Sequence, residues 1–326
     1  MLSLNLDLIN EAADFLAPRI RRPPLEESRF LSRLLGVPVF LKLEFLQLTG
    51  SFKVRGALFR LSKLSESERS AGVITCSAGN HGWAVAYAAS LLGVPATVYL
   101  PAEADESKAK GIATLGAKVI RSDAPGYDAA ESLALAQAKS LDLTFVSPYD
   151  DAAIMAANGG TIAKEILEDA PQIRTFLVPV GGGGLGGGLA YYAKSRFSDS
   201  RILACQHRDS PALKISLETG RAATELPPIR TLAGGIEGGI GKLTFAVLKD
   251  RVDEVLLLSE KEIWEAVQWF LGEHRYLIEP SAAVTLAACL TNKLAKLTSP
   301  TAIVLTGRNI AANDLNAILM KNEVTW

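Results

Sequence analysis

Lys53 stands between Phe52 and Val54 in the stretch LEFLQLTGSFKVRGA, residues 43–57, with Thr49, Gly50, Ser51 and Gly56 close by. Small and hydroxylated residues of this kind build a strand-to-helix turn with free backbone N–H groups and an N-cap hydroxyl. An amine held in such a turn and partly stripped of water has a lowered pKa and can attack a carbonyl. On this stretch alone, a surface lysine with its charge in water is the simpler reading. Three further stretches reverse that preference. Gly181, Gly182, Gly183 and Gly184, then Leu185, follow a predicted strand and precede a helix. Their bare N–H groups and the helix N-terminus make a cradle for a phosphate. Ser77, Ala78, Gly79, Asn80 and His81 occupy another strand-to-helix turn, a nest suited to a carboxylate, although a plain N-cap would use the same residues. Thr306, Gly307, Arg308 and Asn309 end the last predicted strand, on the side where parallel sheets bind ligands.

The glycine run also satisfies GxGxxG through Gly181, Gly183 and Gly186, but a run so rich in glycine satisfies many patterns. The strand after it ends in Gln206 and His207 where a ribose-binding carboxylate is wanted, with Asp209 a little late. Glycines kept only for tight packing are the other reading of this run.

The elements that must position these residues alternate along the chain. A helix is predicted over residues 5–17, a second over LEESRFLSRLLG (25–36), and a strand over 37–44, which leads to Lys53 and the helix 54–64. Strands then fall at 72–77, 96–101, 117–122 and 144–148, separated by helices. The pattern restarts with a helix over 158–168, the strand 175–180, a helix over 189–194 and the strand 202–207. A polar loop at 208–228, a strand at 253–259, helices at 260–274 and 278–290 and a last strand at 302–307 complete it. Alternation of this kind predicts an α/β protein of two domains, each a mostly parallel twisted sheet with helices on both faces.

The 326 residues are 48% hydrophobic and 21% charged, enough for a large core, and the net charge of −1 gives no basic field for nucleic acid or a membrane surface. Small ligands are the expected partners. Asp7, Glu11 and Asp14 stand where an export signal would be basic and then apolar, so the expected location is the cytoplasm. The uncharged run 82–102 divides into helix, turn and strand rather than a membrane span. Cys76, Cys205 and Cys289 follow no metal or redox spacing and are expected as buried thiols.

Taken together and in this order, LKLEFLQLTGSFKVRGA, SAGNHG, VGGGGL and LTGRN resemble the serine/threonine dehydratase family of pyridoxal-phosphate enzymes, the fold-type II or tryptophan-synthase-β-like group. The resemblance covers nearly the whole length. It implies that Lys53 forms the Schiff base with pyridoxal 5'-phosphate, next to Phe52, and that Asn80 partners the cofactor's phenolic oxygen. It further implies that Gly181 to Gly184 and Leu185 hold the phosphate, that Thr306 faces the pyridine nitrogen, and that Glu279 sits near the ring edge. Ser77, Ala78, Gly79, Asn80 and His81 would line the pocket for the substrate carboxylate. The implied division is a large cofactor-binding domain of residues 1–45 and 148–326 and a small mobile domain of 46–147, in a homodimer.

A neutral hydroxyl at Thr306 cannot hold a protonated ring as an aspartate would, which makes the ring a weaker electron sink and favours prompt loss of a β-substituent. The expected reaction is β-elimination from a small L-hydroxyamino acid such as threonine or serine, giving a 2-oxo acid and ammonia. Racemases on this framework have a serine where this chain has Ala78, so racemisation ranks lower, as does β-replacement. A nicotinamide-dependent oxidoreductase and a cofactor-binding protein without turnover are the more distant readings. Relatives that bind a divalent cation use an Ala-Asp-Gly turn; here residues 230–235 read RTLAGG, so no metal is expected, with Glu237 nearby. Arg308, where the family has glycine, is expected to face solvent or an ion pair.

Overall fold

The computed structural model describes residues 2–77, 79–102, 104, 106–123, 127–291 and 293–320. Ten strands are found among them: β1 (Leu25–Glu27), β2 (Val39–Lys42), β3 (Val73–Cys76), β4 (Ala96–Leu100), β5 (Lys118–Arg121), β6 (Thr144–Phe145), β7 (Thr175–Pro179), β8 (Arg201–His207), β9 (Glu254–Leu258) and β10 (Thr301–Val304). They form a six-stranded sheet in the order β1-β2-β10-β7-β8-β9 and a four-stranded sheet in the order β5-β4-β3-β6. Every neighbouring pair is parallel except β1 with β2. Parallel strands need crossover connections, and the helices that supply them cover the sheets, so β3, β7 and β10 are buried along their whole length. The α/β class expected from the alternating pattern is the class observed.

Strand order places the site. β10 lies between β2 and β7, so the carboxyl ends of these three strands deliver the Lys53 segment, the Thr306 segment and the glycine run side by side. From β7 the chain moves outward to β8 and β9, then returns to β10 on the other side of β7, which opens a crevice above the two strands. β3 of the other sheet ends at Cys76 and hands over Ser77. Between the sheets, the helix Lys53–Ser62 packs on the helix Asn80–Leu92, with Val54, Leu58 and Leu61 in one apolar cluster with Ala84, Val85 and Ala88. Each large side chain so buried contributes about 1.5–3 kcal/mol.

Several expectations need correction. The segment 25–36 is not one helix: Leu25–Glu27 pairs with the open edge of β2, and Ser28 then caps a shorter helix, Arg29–Leu35, by accepting from Leu31 N at 3.3 Å. The helix expected at 158–168 begins at Ala152, where Asp151 accepts from Ala153 N and Ile154 N, passes through a π-turn at Ala156–Gly160 and continues over Thr161–Asp169. The helix expected at 189–194 begins at Gly184, inside the glycine run. Glycine is needed there because two helices meet backbone to backbone: a Cβ on Gly188 would lie 1.9 Å from Met155 O, and one on Gly159 1.9 Å from Leu185 O. The polar loop at 208–228 holds a helix, Ala212–Thr219, which buries Ala212 and Leu213 and stops at Gly220 with φ +72. Helices Lys242–Leu248 and Ala312–Leu319 were not expected. All three cysteines are buried, and no helix among the described residues is long and apolar enough to cross a membrane.

Candidate active site

After β2 the chain makes two short 3-10 turns, Glu44–Leu46 and Leu48–Gly50, before the helix that Lys53 begins. Thr49 (φ 61) and Gly50 (φ +75) are both left-handed; at Gly50 a Cβ would stand 2.4 Å from Asn309 Oδ1. This turn is sewn to the end of β10. Ser51 forms an antiparallel bridge with Gly307, Phe52 N donates to Thr306 O at 3.1 Å, and Arg308 N donates to Gly50 O at 3.0 Å. The expected N-cap hydroxyl is not formed: Phe52 is the N-cap without a side-chain bond, and Asn158 Oδ1 from the π-turn accepts from Gly56 N at 2.8 Å. The hydroxyls of Thr49 and Ser51 are instead buried with no hydrogen-bond partner among the described residues.

Lys53 is half-buried, and its Nζ donates to the carbonyl of Pro148 at 3.0 Å. The amine lies 5.3 Å from the centre of the Phe52 ring, itself buried. Desolvation lowers its pKa to about 8, with the Glu279 carboxylate opposing the shift. An amine of that pKa is a usable base and nucleophile near neutral pH.

Glu279 is the hub of the polar network beside it. Its Oε1 accepts from Asn80 Nδ2 at 2.7 Å and from Ser281 Oγ at 3.0 Å, and its Oε2 accepts from Asn309 N at 3.1 Å. Asn309 Nδ2 donates to Asn80 Oδ1 at 2.6 Å and to Thr49 O at 2.7 Å, closing the ring. Burial raises the Glu279 pKa, while the three donors pull it down. Gly307 lines this network so closely that a Cβ would stand 2.3 Å from Glu279 Oε1. Thr306 is buried at 4% exposure.

In the nest at the end of β3, Ser77 N donates to Tyr99 O at 3.0 Å, and Ser77 Oγ accepts from Gly79 N at 3.1 Å. Gly79 is exposed, and a Cβ there would make only an ordinary contact, 3.9 Å from Ser77 Oγ. Ala78 lies outside the described residues. His81 is buried, its Nε2 3.2 Å from Val146 O. Burial and then the neighbouring Lys53 charge push its pKa down to about 3, so it is neutral near neutral pH.

Gly181 to Leu185 bridge the end of β7 and the helix Gly184–Arg196, whose first N–H groups have no acceptor within the helix. No side chain fits on the glycines. A Cβ on Gly182 would stand 2.2 Å from Cδ1 of Tyr149, one on Gly181 2.4 Å from Gly235 O, and Gly183 has φ +92. Thr244 Oγ1 donates to Gly182 O at 2.7 Å, and Asp150 Oδ1 accepts from Leu243 N and Thr244 N at 2.9 and 3.0 Å, locking the glycine turn to the helix Lys242–Leu248.

The structure therefore brings Lys53, Asn80, Glu279, Thr306 and their turns into one network, with the glycine run at the neighbouring strand end. Sequence reasoning missed Pro148, Tyr149 and Asn158, and it placed Asn309 in the Thr306 segment without a role of its own. Nothing in the residue type marks Pro148, which acts through its carbonyl, and nothing local marks Asn158, at the start of an expected helix, as the acceptor for Gly56 N. A desolvated amine beside an anion cradle suits a ligand that carries a carbonyl and a phosphate.

Residues 16–307 match the family model described as pyridoxal-phosphate dependent enzyme. The chain is 37% identical over 320 residues to an L-threonine ammonia-lyase of Geobacter sulfurreducens, covering 97% of this chain and 78% of that protein. The crystal structure of a T.th. threonine deaminase is 35% identical with a TM-score of 0.86, covering 94% of this chain and 99% of that one. The structure of maize serine racemase is 31% identical with a TM-score of 0.90, covering 98% and 99%.

Proposed function

Because the chain belongs to the family of pyridoxal-phosphate dependent enzymes, we propose that it is an ammonia-lyase that eliminates water from a small L-hydroxyamino acid such as threonine or serine, the resulting enamine taking water back on hydrolysis to leave a 2-oxo acid and ammonia. The observation that carries this reading is the Lys53 amine, desolvated and fixed on Pro148 O beside the Asn80–Glu279–Asn309 network. Similarity over nearly the full chain to proteins named threonine ammonia-lyase and threonine deaminase supports it.

The residues fit pyridoxal 5'-phosphate. Gly181 to Leu185 would hold its phosphate through backbone N–H groups at a helix N-terminus, and Lys53 would hold its carbonyl. Phe52, Asn80, Glu279 and Thr306 would flank the ring, and the unpartnered hydroxyls of Thr49 and Ser51 are donors in reserve. When bound, the cofactor supplies a carbonyl that condenses with amines and a conjugated ring that accepts electron density from the substrate α-carbon.

The chain's own residues do the rest. Backbone N–H groups of the 77–81 turn would bind the substrate carboxylate. Lys53 Nζ would be the base that takes the α-proton. The β-hydroxyl then leaves with its bonding electrons, a Cα–Cβ double bond forms, and the released enamine tautomerises and hydrolyses to 2-oxo acid and ammonia. Thr306 offers a hydroxyl and not a carboxylate, which keeps the electron sink weak and favours this loss. Racemisation needs a second proton donor across the substrate from Lys53, and alanine at 78 provides none. The reading extends to closure of residues 46–147 over residues 1–45 and 148–326, and to a cytoplasmic homodimer.

The test is an absorption spectrum of the purified, cofactor-loaded protein during addition of L-threonine, L-serine and D-serine, with 2-oxo acid assayed alongside. Turnover of an L-substrate to 2-oxo acid, lost in Lys53→Ala, is expected. A spectral change without 2-oxo acid would instead favour racemisation, β-replacement or simple binding.

A further inference from the structure

Lys53 and Arg55 leave the first turn of one helix roughly 200° apart around its axis. While the amine faces the site, the guanidinium enters the interior, where it is fully buried. Arg55 donates through Nε and Nη2 to Glu44 at 2.9 and 2.8 Å, and through Nη1 and Nη2 to Glu165 at 2.6 and 2.9 Å. Its Nη1 also reaches Thr161 Oγ1 at 3.2 Å. Lys42, buried as well, donates to Glu165 Oε2 and to Pro23 O, each at 2.6 Å. Two cations and two carboxylates thus neutralise one another in a cluster that joins the end of β2, the helix begun by Lys53, and the helix Thr161–Asp169. Burial works against the Arg55 charge, but Glu44 and Glu165 outweigh it and hold the guanidinium above its usual range.

Apolar packing alone would dock this helix, since Val54, Ala57, Leu58, Phe59 and Leu61 are all buried. Contacts of that kind are non-directional and tolerate sliding and rotation. A planar guanidinium forked onto two carboxylates does not, because each bond constrains both depth and twist. A buried ion pair is also a poor stabiliser compared with apolar residues of equal volume, so the use of this cluster lies in geometry. The same helix fixes the acceptor of the amine. Arg60 Nε donates to Asp151 Oδ2 at 2.9 Å, three residues beyond Pro148, whose carbonyl receives Lys53 Nζ at 3.0 Å. Amine and acceptor are both referenced to one helix, and Arg55 sets where that helix lies.

We propose that Arg55, anchored by Glu44 and Glu165, is a positioning residue that holds the Lys53 amine at the Pro148 carbonyl, where it meets the substrate's α-proton. This rests on Lys53 being the reacting amine. The charge that acts on Lys53 is that of Glu279, which is not a partner of Arg55, and the neighbouring His81 is neutral. A change in the basicity of the amine in an Arg55 variant therefore reports displacement.

The experiment is competitive acetylation of the full, cofactor-free chain with acetic anhydride across neutral to alkaline pH, read by mass spectrometry on the Lys53 peptide. It is paired with kcat and KM for L-threonine after cofactor loading, and with thermal unfolding. Wild type should label with a midpoint near pH 8. In Arg55→Lys the midpoint should rise by at least about one pH unit towards that of an ordinary lysine, and kcat should fall at least ~10-fold with KM changed less than ~3-fold. Glu165→Gln should move both readings in the same direction, and it decides the matter alone if Arg55→Lys does not fold. Folded variants with a lowered melting temperature but an unchanged midpoint and kcat would overturn the proposal. A wild-type midpoint at the ordinary lysine value would overturn the reading of Lys53 itself, a separate failure.

Discussion

Asn80 Nδ2 donates a 2.7 Å hydrogen bond to Oε1 of Glu279, a residue 199 positions further along the chain. This bond ties the helix after β3 of the four-stranded sheet to the segment that follows β9 of the six-stranded sheet. Glu279 satisfies three donors at once, from Asn80, Ser281 and the Asn309 backbone. Glu279→Ala would leave buried Ser281, half-buried Asn80 and the exposed Asn309 backbone without this acceptor, at a cost of about 2–4 kcal/mol. Glu279→Gln keeps the volume but turns one donor towards another, and should cost about 1–3 kcal/mol in denaturant unfolding. Equal stability of the two variants would contradict the role of Glu279 as the hub.

Removing the amine should abolish turnover without unfolding the protein. Lys53→Ala deletes a side chain whose hydrogen bond is to one carbonyl, so the melting temperature should stay near that of wild type. Formation of 2-oxo acid should fall by about 10³-fold or more, since both the carbonyl attachment and the base are lost. Wild-type rates in Lys53→Ala would end the lyase reading.

The pH dependence of stability follows from the lowered Lys53 pKa. Between about pH 8 and the ordinary lysine value of 10.5, the unfolded chain binds more protons at this site than the folded one. Stability of the cofactor-free protein should therefore rise with pH through that window, by at most about 3 kcal/mol from this group. Lys53→Met should lack that part of the rise. Superimposable pH–stability curves for the two proteins would show the amine to be solvated.

At the glycine run the test is steric. A Cβ at Gly182 would lie 2.2 Å from Tyr149 Cδ1, so Gly182→Ala must displace either the ring or the turn. Cofactor affinity, measured by equilibrium dialysis with pyridoxal 5'-phosphate, should weaken at least ~10-fold, in line with losing about 1.4 kcal/mol or more of oriented N–H contacts.

Ser51 carries a buried hydroxyl with no partner among the described residues. Its burial costs roughly 1–3 kcal/mol when nothing accepts or donates to it. In the cofactor-free protein, Ser51→Ala should hold or raise the melting temperature, and a clear drop would reveal a bond this hydroxyl makes. Cofactor affinity should fall in the same variant if the hydroxyl is a donor to the ligand.

Local patterning alone marked the α/β class, the strand-to-helix turns at Lys53 and Asn80, and the glycine cradle, because alternation of apolar runs and turn chemistry are short-range properties. It failed where long-range partners decide. Leu25–Glu27 became a strand only because β2 offered an open edge, and the helix expected from 158 began at Ala152, where Asp151 caps it and the turn at Ala156–Gly160 packs on the helix Gly184–Arg196. The network that makes the site was beyond the sequence for the same reason. Residue types and turns pointed to Lys53 and Asn80 and the family resemblance to Glu279, but only the order β2-β10-β7 and the packing of the second sheet brought Pro148 O to the amine and Asn309 to Asn80 and Glu279. A lowered amine pKa is a property of burial and neighbouring charge, which exist only once the chain has closed on itself.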